Sequence, residues 1–375
     1  MKDGNIIPVL LLTGYLGSGK TTLLNRILTN NKGIKFAVIV NDIGEVNIDA
    51  DLIERDGVVG KRDESLMALT NGCICCTLKM DLVEQINEIV SMRKFDYLVI
   101  EASGICEPEP IARTICSIPY MGEKYTSNGT ARLDCRVTVV DARRMRDEFS
   151  CAKDLLRGNI AEDDIENLVI QQIEFCNIVL LNKASEVSAS ELGKVREIVR
   201  ALQPKAQIIE CDFGEVDMDR ILNTGLFNYD SVAASATWIT EVEKGAEEEE
   251  GEALEYGIGT YVYFSRRPLN LDKFDFFVAR HWPAGVIRAK GMCYFSEEFD
   301  VCYIFEQAGT QISMKNVGQW YATMPEDELM RELARDAALQ RDWDPEYGDR
   351  MQKLVFIGQN MDTAAIKRAL DACLD

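Results

Sequence analysis

A glycine-rich segment at residues 14–22 constrains the fold of this chain more than any other feature. Its sequence, Gly-Tyr-Leu-Gly-Ser-Gly-Lys-Thr-Thr, fits the pattern G-x-x-x-x-G-K-[ST] and lies between a predicted strand, 8–12, and a predicted helix, 21–30. Glycines let successive backbone N–H groups point at a phosphate, and the helix N-terminus and the lysine add positive charge. The segment therefore predicts a phosphate-binding loop. Its expected nucleotide contacts are Gly14, Leu16, Gly17, Ser18, Gly19, Lys20, Thr21 and Thr22.

The rest of the first 228 residues follows the pattern of an α/β domain. Short apolar, β-branched runs alternate with amphipathic helical patterns, which is typical of a parallel sheet that helices cover on both faces. The other predicted strands are 36–40, 97–100, 136–140, 178–181 and 207–210, and the other predicted helices are 78–92, 165–175 and 189–202. Together with the phosphate loop, this pattern predicts the P-loop NTPase fold for residues 1–228.

A second, smaller domain is predicted after an acidic linker. The linker is placed at 229–256 and contains four successive glutamates at 247–250, a composition typical of a solvated segment. Residues 257–375 mix strand and helix patterns and predict an α+β C-terminal domain. Its predicted strands are 259–264, 286–295, 301–306 and 354–357, and its predicted helices are 271–280 and 363–374.

The charge balance restricts the class of partner. The chain has 62 Asp and Glu residues against 41 Lys and Arg, for a formal net charge of −21. Nucleic-acid backbones and anionic membranes both repel such a surface. No apolar run approaches the roughly 18 residues that span a bilayer, and the first apolar run leads directly into the phosphate loop, as a strand does and a cleaved signal does not. We therefore expect a cytoplasmic protein with no nucleic-acid partner and no membrane partner.

A second acidic element is expected at the end of a strand beside the phosphate loop. The predicted strand 97–100 delivers Glu101, followed by Ala-Ser-Gly104. Such a carboxylate holds Mg²⁺ directly or through water, and the glycine backbone contacts the γ-phosphate. The strand 136–140 delivers a rival carboxylate, Asp141, but no Ser-Gly turn follows it. The sequence therefore favours Glu101 over Asp141, and the predicted catalytic residues are Lys20 and Glu101.

A third element, Asn182-Lys183-Ala-Ser185, follows the predicted strand 178–181. Many GTPases read guanine with Asn-Lys-x-Asp at this place, because the Asp accepts hydrogen bonds from the ring N–H and the amino group of the base. Here Ser185 stands where that Asp is expected, and a neutral hydroxyl makes a weaker contact than a carboxylate. The motif supports guanine selectivity only in part, with Glu186 as the one neighbouring substitute.

Three of the twelve cysteines are clustered, at Cys73, Cys75 and Cys76, just ahead of a predicted helix. Thiols near a helix N-terminus have lowered pKa values, and thiolates are ligands that Zn²⁺ and other soft or borderline metals prefer. Three thiolates leave one tetrahedral position for another ligand. Besides a metal site, the cluster is compatible with a buried apolar group or a redox pair.

These motifs together resemble those of the CobW-type metallochaperone GTPases. The resemblance rests on the phosphate loop, on Asn-Asp-Ile-Gly-Glu at 41–45, on Gly-Cys-Ile-Cys-Cys at 72–76 and on Glu-Ala-Ser-Gly at 101–104. It continues through Asn182 and Lys183, and Ala-Gly-Val-Ile-Arg-Ala-Lys-Gly at 284–291 resembles a strand of that family's C-terminal domain. The resemblance covers nearly the whole chain.

The resemblance implies a magnesium-dependent GTPase whose GTP or GDP state controls a bound transition metal. Zn²⁺ is the expected metal and Co²⁺ the alternative. A client metalloprotein is the expected recipient of the metal, and a homodimer is a possible assembly. Nucleotide contacts are also implied for Gly104, Asn182 and Lys183. The implied magnesium ligands are Thr21, Asp42 and Glu101, and the implied transition-metal ligands are Cys73, Cys75, Cys76 and Glu45.

The chain also departs from the family pattern. Asp42 stands where family members often have Glu, and the linker carries glutamates where many members carry histidines. The single histidine, His281, excludes metal storage on imidazoles. Two other functions remain open. One is a nucleotide-dependent regulator of a partner enzyme with structural cysteines, and the other is a P-loop kinase, for which the sequence gives no second substrate pocket.

Overall fold

The computed structural model describes residues 6–29, 33–40, 66–70, 79–104, 106–150, 168–228, 256–309 and 311–375. These residues form two compact units, the first ending at residue 228 and the second beginning at residue 256. Residues 229–255 of the predicted linker lie outside the described residues.

The first unit is built on a parallel sheet. Its described strands are β1 (Ile6–Thr13), β2 (Phe36–Val40), β3 (Leu66–Thr70), β4 (Tyr97–Glu101), β5 (Thr130–Asp141), β6 (Ile178–Asn182) and β7 (Gln207–Glu210). They lie side by side in the order β3-β2-β4-β1-β5-β6-β7, and every neighbouring pair is parallel. All the predicted strands of this unit are present. The sequence pattern does not predict β3, because its residues Leu-Met-Ala-Leu-Thr include one β-branched side chain and no aromatic one.

Helices cover both faces of this sheet, as predicted. They are α1 (Lys20–Leu28), α2 (Lys79–Met92), α3 (Pro108–Ser117), α4 (Glu123–Thr126), α5 (Ala142–Ser150), the helical residues 168–174 and α6 (Ala189–Leu202). Side chains of β1 alternate between two buried clusters. Val9 and Leu11 pack with α2 and α3, whereas Leu10 and Leu12 pack with α1. The sequence pattern does not predict α3, because prolines occupy its first turn. Proline lacks a backbone N–H, but the N–H groups of a first turn have no partner within the helix, so proline is tolerated there.

The second unit is a smaller α+β domain. Its strands β8 (Ile258–Ser265), β9 (Val286–Cys293), β10 (Val301–Ala308), β11 (Gln311–Gln319) and β12 (Gln352–Gln359) form an antiparallel sheet in the order β11-β10-β9-β12-β8. Its described helices are α7 (Leu271–Arg280), α8 (Glu326–Arg335), α9 (Ala337–Arg341) and α10 (Thr363–Ala372). Helices α7 and α10 pack on one aromatic-rich face. The sequence pattern predicts neither β11 nor α8, which are both largely exposed and polar.

Asp134 on β5 is a buried carboxylate that joins the sheet to the loop after β7. It is 2% exposed, and it accepts hydrogen bonds from the Tyr97 hydroxyl at 2.5 Å, the Thr224 N–H at 3.1 Å and the Gly225 N–H at 2.7 Å. Burial, with a further contribution from Asp134, raises the pKa of Tyr97 far above its usual value, so this hydroxyl keeps its proton and donates.

Replacing Asp134 with Ala is expected to lower the free energy of unfolding by about 3 kcal/mol, because the buried Tyr97 hydroxyl and two backbone N–H groups lose their acceptor. Urea unfolding of the full chain measures the change. Asp96→Ala is the matched control, since Asp96 is exposed and accepts one backbone N–H, from Lys35. Its expected cost is under about 1 kcal/mol. Equal losses in the two variants would contradict a stabilising role for the buried network.

Candidate nucleotide-binding site

The phosphate loop has a backbone that only glycine adopts readily. Gly14, Gly17 and Gly19 have φ values of 136°, 80° and 107°, in the left-handed region. A Cβ on Gly14 would lie 2.4 Å from the Val139 carbonyl oxygen, and a Cβ on Gly19 would lie 2.2 Å from the side-chain nitrogen of Asn182. All three glycines therefore suit the curvature of the loop, and Gly14 and Gly19 also allow the close approach of its neighbours.

Lys20 and Glu101 both lie at the carboxyl end of the sheet. Lys20 begins α1, is 7% exposed and donates from Nζ to the Tyr15 carbonyl at 3.3 Å. Glu101 ends β4 opposite Leu12 of β1 and is 1% exposed. Because β4 lies directly beside the strand that enters the loop, the structure brings the predicted lysine and carboxylate to one edge of the sheet.

The segment after Glu101 lies against the phosphate loop. A Cβ on Gly104 would lie 2.8 Å from the backbone nitrogen of Leu16, so no larger residue fits there. The Gln172 side-chain amide donates to the carbonyls of Gly104 at 3.3 Å and Cys106 at 3.4 Å. The structure therefore places Gly104 beside the loop, and Gln172 holds that segment in position, a role that the sequence pattern does not reveal.

Asn182 and Lys183 connect the loop after β6 to the phosphate loop. Asn182 donates from Nδ2 to the Ser18 carbonyl at 2.8 Å and accepts at Oδ1 from the Gly214 N–H at 3.0 Å. Lys183 donates from Nζ to the Gly17 carbonyl at 3.1 Å. Two neighbouring side chains thus hold three loops together at the expected nucleotide site.

The rival carboxylate, Asp141, is engaged in this connection. Its Oδ2 forms an ion pair with Lys183, and its Oδ1 accepts from the Arg144 N–H at 3.0 Å. The Tyr15 hydroxyl bonds to both the N–H and the carbonyl of Asp141, at 3.1 and 3.2 Å. These contacts make Asp141 a support for Lys183 and Tyr15, which favours Glu101 as the magnesium carboxylate.

The end of the site where base recognition is predicted contains a carboxylate that the sequence pattern did not single out. Ser185 donates from its backbone N–H and from Oγ to the same oxygen, Oδ1, of Asp212, at 3.0 and 2.9 Å. Glu186, the substitute considered from sequence, instead forms an ion pair with Arg143 at 3.5 Å. Asp212 comes just after β7, so the strand-end rule that selected Glu101 could also have found it.

Comparison with known families decides what kind of protein this geometry belongs to. The family model described as CobW/HypB/UreG, nucleotide-binding domain matches residues 8–210, and the model described as cobalamin synthesis protein cobW C-terminal domain matches residues 258–374. The chain belongs to the CobW family. The family predicted from its motifs is therefore confirmed.

Individual CobW-family relatives show how far the similarity extends. A protein of Dictyostelium discoideum named zinc-regulated GTPase metalloprotein activator 1 is 35% identical over 383 residues, covering 98% of this chain and 80% of that protein. The zinc chaperone YjiA of Escherichia coli is 32% identical over 228 residues, covering 60% of this chain and 63% of that protein. A Zn(II)-bound YjiA GTPase structure from E. coli covers 99% of this chain and 100% of that chain, with 20% identity and a TM-score of 0.43.

Of the predicted metal ligands of this CobW-family chain, the magnesium ligand Asp42 and the transition-metal ligands Glu45, Cys73, Cys75 and Cys76 lie outside the described residues. Within the described ranges, no group of three or more His, Cys, Asp and Glu side chains is arranged to hold a metal ion. The same ranges contain no helix of the length and apolarity needed to cross a membrane.

The described cysteines differ from metal-binding thiolates. Burial raises the pKa of Cys116 and of Cys211 to about 11 and that of Cys135 to about 12, so these thiols keep their protons. His281 follows α7, and its ring contacts the Phe276 ring edge-on.

Proposed function

We propose that this CobW-family protein is a magnesium-dependent GTPase that binds a divalent transition metal and delivers it to a client metalloprotein. The observation that carries the nucleotide part is the connection of three loops by Asn182 and Lys183, which joins the phosphate loop to the base-reading loops. A triphosphate on the loop and a base on the neighbouring loops are then held by one hydrogen-bonded unit.

The residues at the phosphate end fit Mg²⁺ by their donor chemistry. The Thr21 hydroxyl in the first turn of α1 and the buried Glu101 carboxylate are hard oxygen donors, with Asp42 as the third proposed one. When bound, Mg²⁺ neutralises charge on the β- and γ-phosphates. Lys20 adds its own positive charge there, and the backbone of Gly104 contacts the γ-phosphate. The position of Glu101 at the end of β4 fixes its carboxylate beside the strand that enters the phosphate loop.

The metal part of the proposal rests on the donor set and on the relatives. Three closely spaced thiols, Cys73, Cys75 and Cys76, suit Zn²⁺, with Glu45 as the proposed fourth ligand. The names of two relatives refer to zinc, which favours Zn²⁺ over Co²⁺. In sequence, these residues lie between the two segments that we propose contact phosphate, 14–22 and 101–104. Ordering of these segments by the γ-phosphate would close the thiolates on the metal, and hydrolysis would release it.

Competitive Zn²⁺ titration of the GTP–Mg and GDP forms tests the coupling. We expect the two affinities to differ by at least about tenfold, and GTP affinity to change by the same factor with Zn²⁺, since linkage is reciprocal. Cys75→Ala should lower Zn²⁺ affinity by more than about 100-fold. Loss of a residue that only orients a metal ligand already costs about 10- to 100-fold, and loss of the ligand itself should cost at least as much.

Cys116→Ala is the matched control, because Cys116 is a half-buried thiol whose pKa is raised to about 11, and it should leave Zn²⁺ affinity unchanged. Equal Zn²⁺ affinity in both nucleotide forms and in Cys75→Ala would contradict metal delivery. GTP turnover that persists under those conditions would support the regulator of a partner enzyme instead.

A further inference from the structure

We propose that Asp212 supplies the guanine-reading carboxylate that position 185 lacks. This inference rests on the proposed GTPase function and names the residue pair that selects the base. In the Asn-Lys-x-Asp pattern the carboxylate stands at the fourth position, here Ser185. The structure assigns its role to a residue on the neighbouring loop.

The loops after β6 and β7 lie side by side, which brings Asp212 to the base-reading position. The Cys211 N–H donates to the Leu181 carbonyl at 2.9 Å, and the Ala184 N–H donates to the Cys211 carbonyl at 3.2 Å. On the other side of Asp212, the Gly214 N–H donates to Asn182 Oδ1. Asp212 therefore lies between residues that make three hydrogen bonds to positions 181–184, the segment that contains the Asn-Lys motif.

Ser185 fixes the orientation of the carboxylate and leaves acceptors for a base. Both Ser185 donors go to Oδ1 of Asp212, whereas Oδ2 accepts no hydrogen bond from any residue that the structure describes. Because the Ser185 hydroxyl proton is committed to Asp212, Oγ of Ser185 has only lone pairs left to offer. Asp212 Oδ2 and Ser185 Oγ are thus two adjacent acceptors, one of them charged.

Two adjacent acceptors match guanine and disfavour adenine and xanthine. Guanine presents two neighbouring donors, the ring N1–H and the C2 amino group. Adenine presents an unprotonated N1 and no amino group at C2, and xanthine presents a carbonyl at C2. A carboxylate that faces N1 of adenine or the C2 carbonyl oxygen of xanthine meets a lone pair, and the repulsion lowers the affinity for that base. The pair therefore selects guanine by attraction and by repulsion of its competitors.

Other carboxylates at this edge of the sheet are engaged elsewhere. Glu186 pairs with Arg143, and Glu210 pairs with Arg196. Asp217 accepts from the Asp219 N–H at 3.1 Å and so caps its own turn. In contrast, no cation among the described residues pairs with Asp212. The simpler interpretation is that Asp212 only caps the turn Ala184–Glu186, and that role has no dependence on the base.

The affinities of GTP, xanthosine triphosphate and ATP for the full chain with Mg²⁺ separate these interpretations. Asp212→Asn should lower GTP affinity by about 10- to 100-fold, since charge-assisted hydrogen bonds are lost. It should also raise affinity for xanthosine triphosphate, because Nδ2 of the asparagine donates to the C2 carbonyl while Oδ1 still accepts from Ser185. The measured quantity is the ratio of the two affinities, which does not depend on the folded fraction.

Glu215→Gln is the matched control. It makes the same change of charge in the same loop, on a side chain that is 79% exposed, and should leave the ratio unchanged. A second pair of variants separates base recognition from capping of the turn Ala184–Glu186. Asp212→Ser should lose guanine preference, and adding Ser185→Asp to it should restore that preference by exchanging the two groups.

An unchanged GTP-to-xanthosine-triphosphate ratio in Asp212→Asn overturns the assignment, and so does failure of the double variant to recover guanine preference. Loss of affinity for all three nucleotides by one common factor also overturns it, because that is the result of a structural cap. If the unmodified chain shows no guanine preference at all, the proposed GTPase function itself fails.

Discussion

Replacing Lys20 with Ala is expected to reduce GTP turnover by about 1,000-fold, the upper end of the effect of removing one preorganised donor from a charged transition state. Lys20 is the one cationic side chain among residues 14–22. Its burial at the start of α1 makes this charge more effective than an exposed lysine, because little water screens it. Phosphate release at saturating GTP–Mg measures the change.

Lys35→Ala is the control for the Lys20 variant, because Lys35 is exposed and precedes β2. It should turn over GTP at the rate of the unmodified chain. Binding of a fluorescent GTP analogue shows whether the Lys20 variant also loses ground-state affinity. Turnover within about threefold of normal in Lys20→Ala would contradict the assignment of the phosphate loop, since one lost charge-assisted contact costs more than that.

The second large effect is expected for Glu101→Gln, which should lower kcat by about 100- to 1,000-fold. Glutamine keeps the shape of the buried side chain but removes the charge that we propose holds Mg²⁺ and its water. The Mg²⁺ concentration for half-maximal turnover should therefore rise, while nucleotide affinity measured without Mg²⁺ stays the same. Steady-state phosphate release across a Mg²⁺ titration gives both quantities.

Two further variants complete the Glu101 experiment. Glu88→Gln removes an exposed carboxylate from α2 and should have no effect. Asp141→Asn should weaken nucleotide binding more than it lowers kcat, because it removes the partner of Lys183. The reverse pattern, with a normal kcat in Glu101→Gln and a large loss in Asp141→Asn, would show that Asp141 is the magnesium carboxylate.

Local sequence patterns predict most of this fold because the strands that form its core are continuous apolar runs. Strands β2 and β7 and helices α6 and α7 have the predicted bounds. The pattern fails where tertiary context decides. Strand β3 has weak intrinsic preference and forms beside β2, and the exposed edge strand β11 has little apolar sequence.

The parts of the site that could be predicted from the sequence are those whose residues lie close together in one segment. The phosphate loop and Glu101 are each visible in a few consecutive residues, whereas the contact between Ser185 and Asp212 joins positions 27 apart. That contact depends on β6 and β7 being neighbours, which no local pattern states. Glu186 is next in sequence to Ser185 but pairs with Arg143, so the carboxylate that we propose for base recognition is the one on the neighbouring loop.

Ser185 donates two hydrogen bonds to the same oxygen of Asp212, and this contact restricts how the two positions can change during evolution. Moving the carboxylate from 212 to 185 takes two substitutions, and either order passes through an impaired intermediate. One intermediate has two carboxylates within hydrogen-bonding distance, which repel each other, and the other has none to recognise guanine. If Asp212 reads guanine as proposed, the two positions are expected to change together, and Ser185→Asp alone is expected to impair guanine binding.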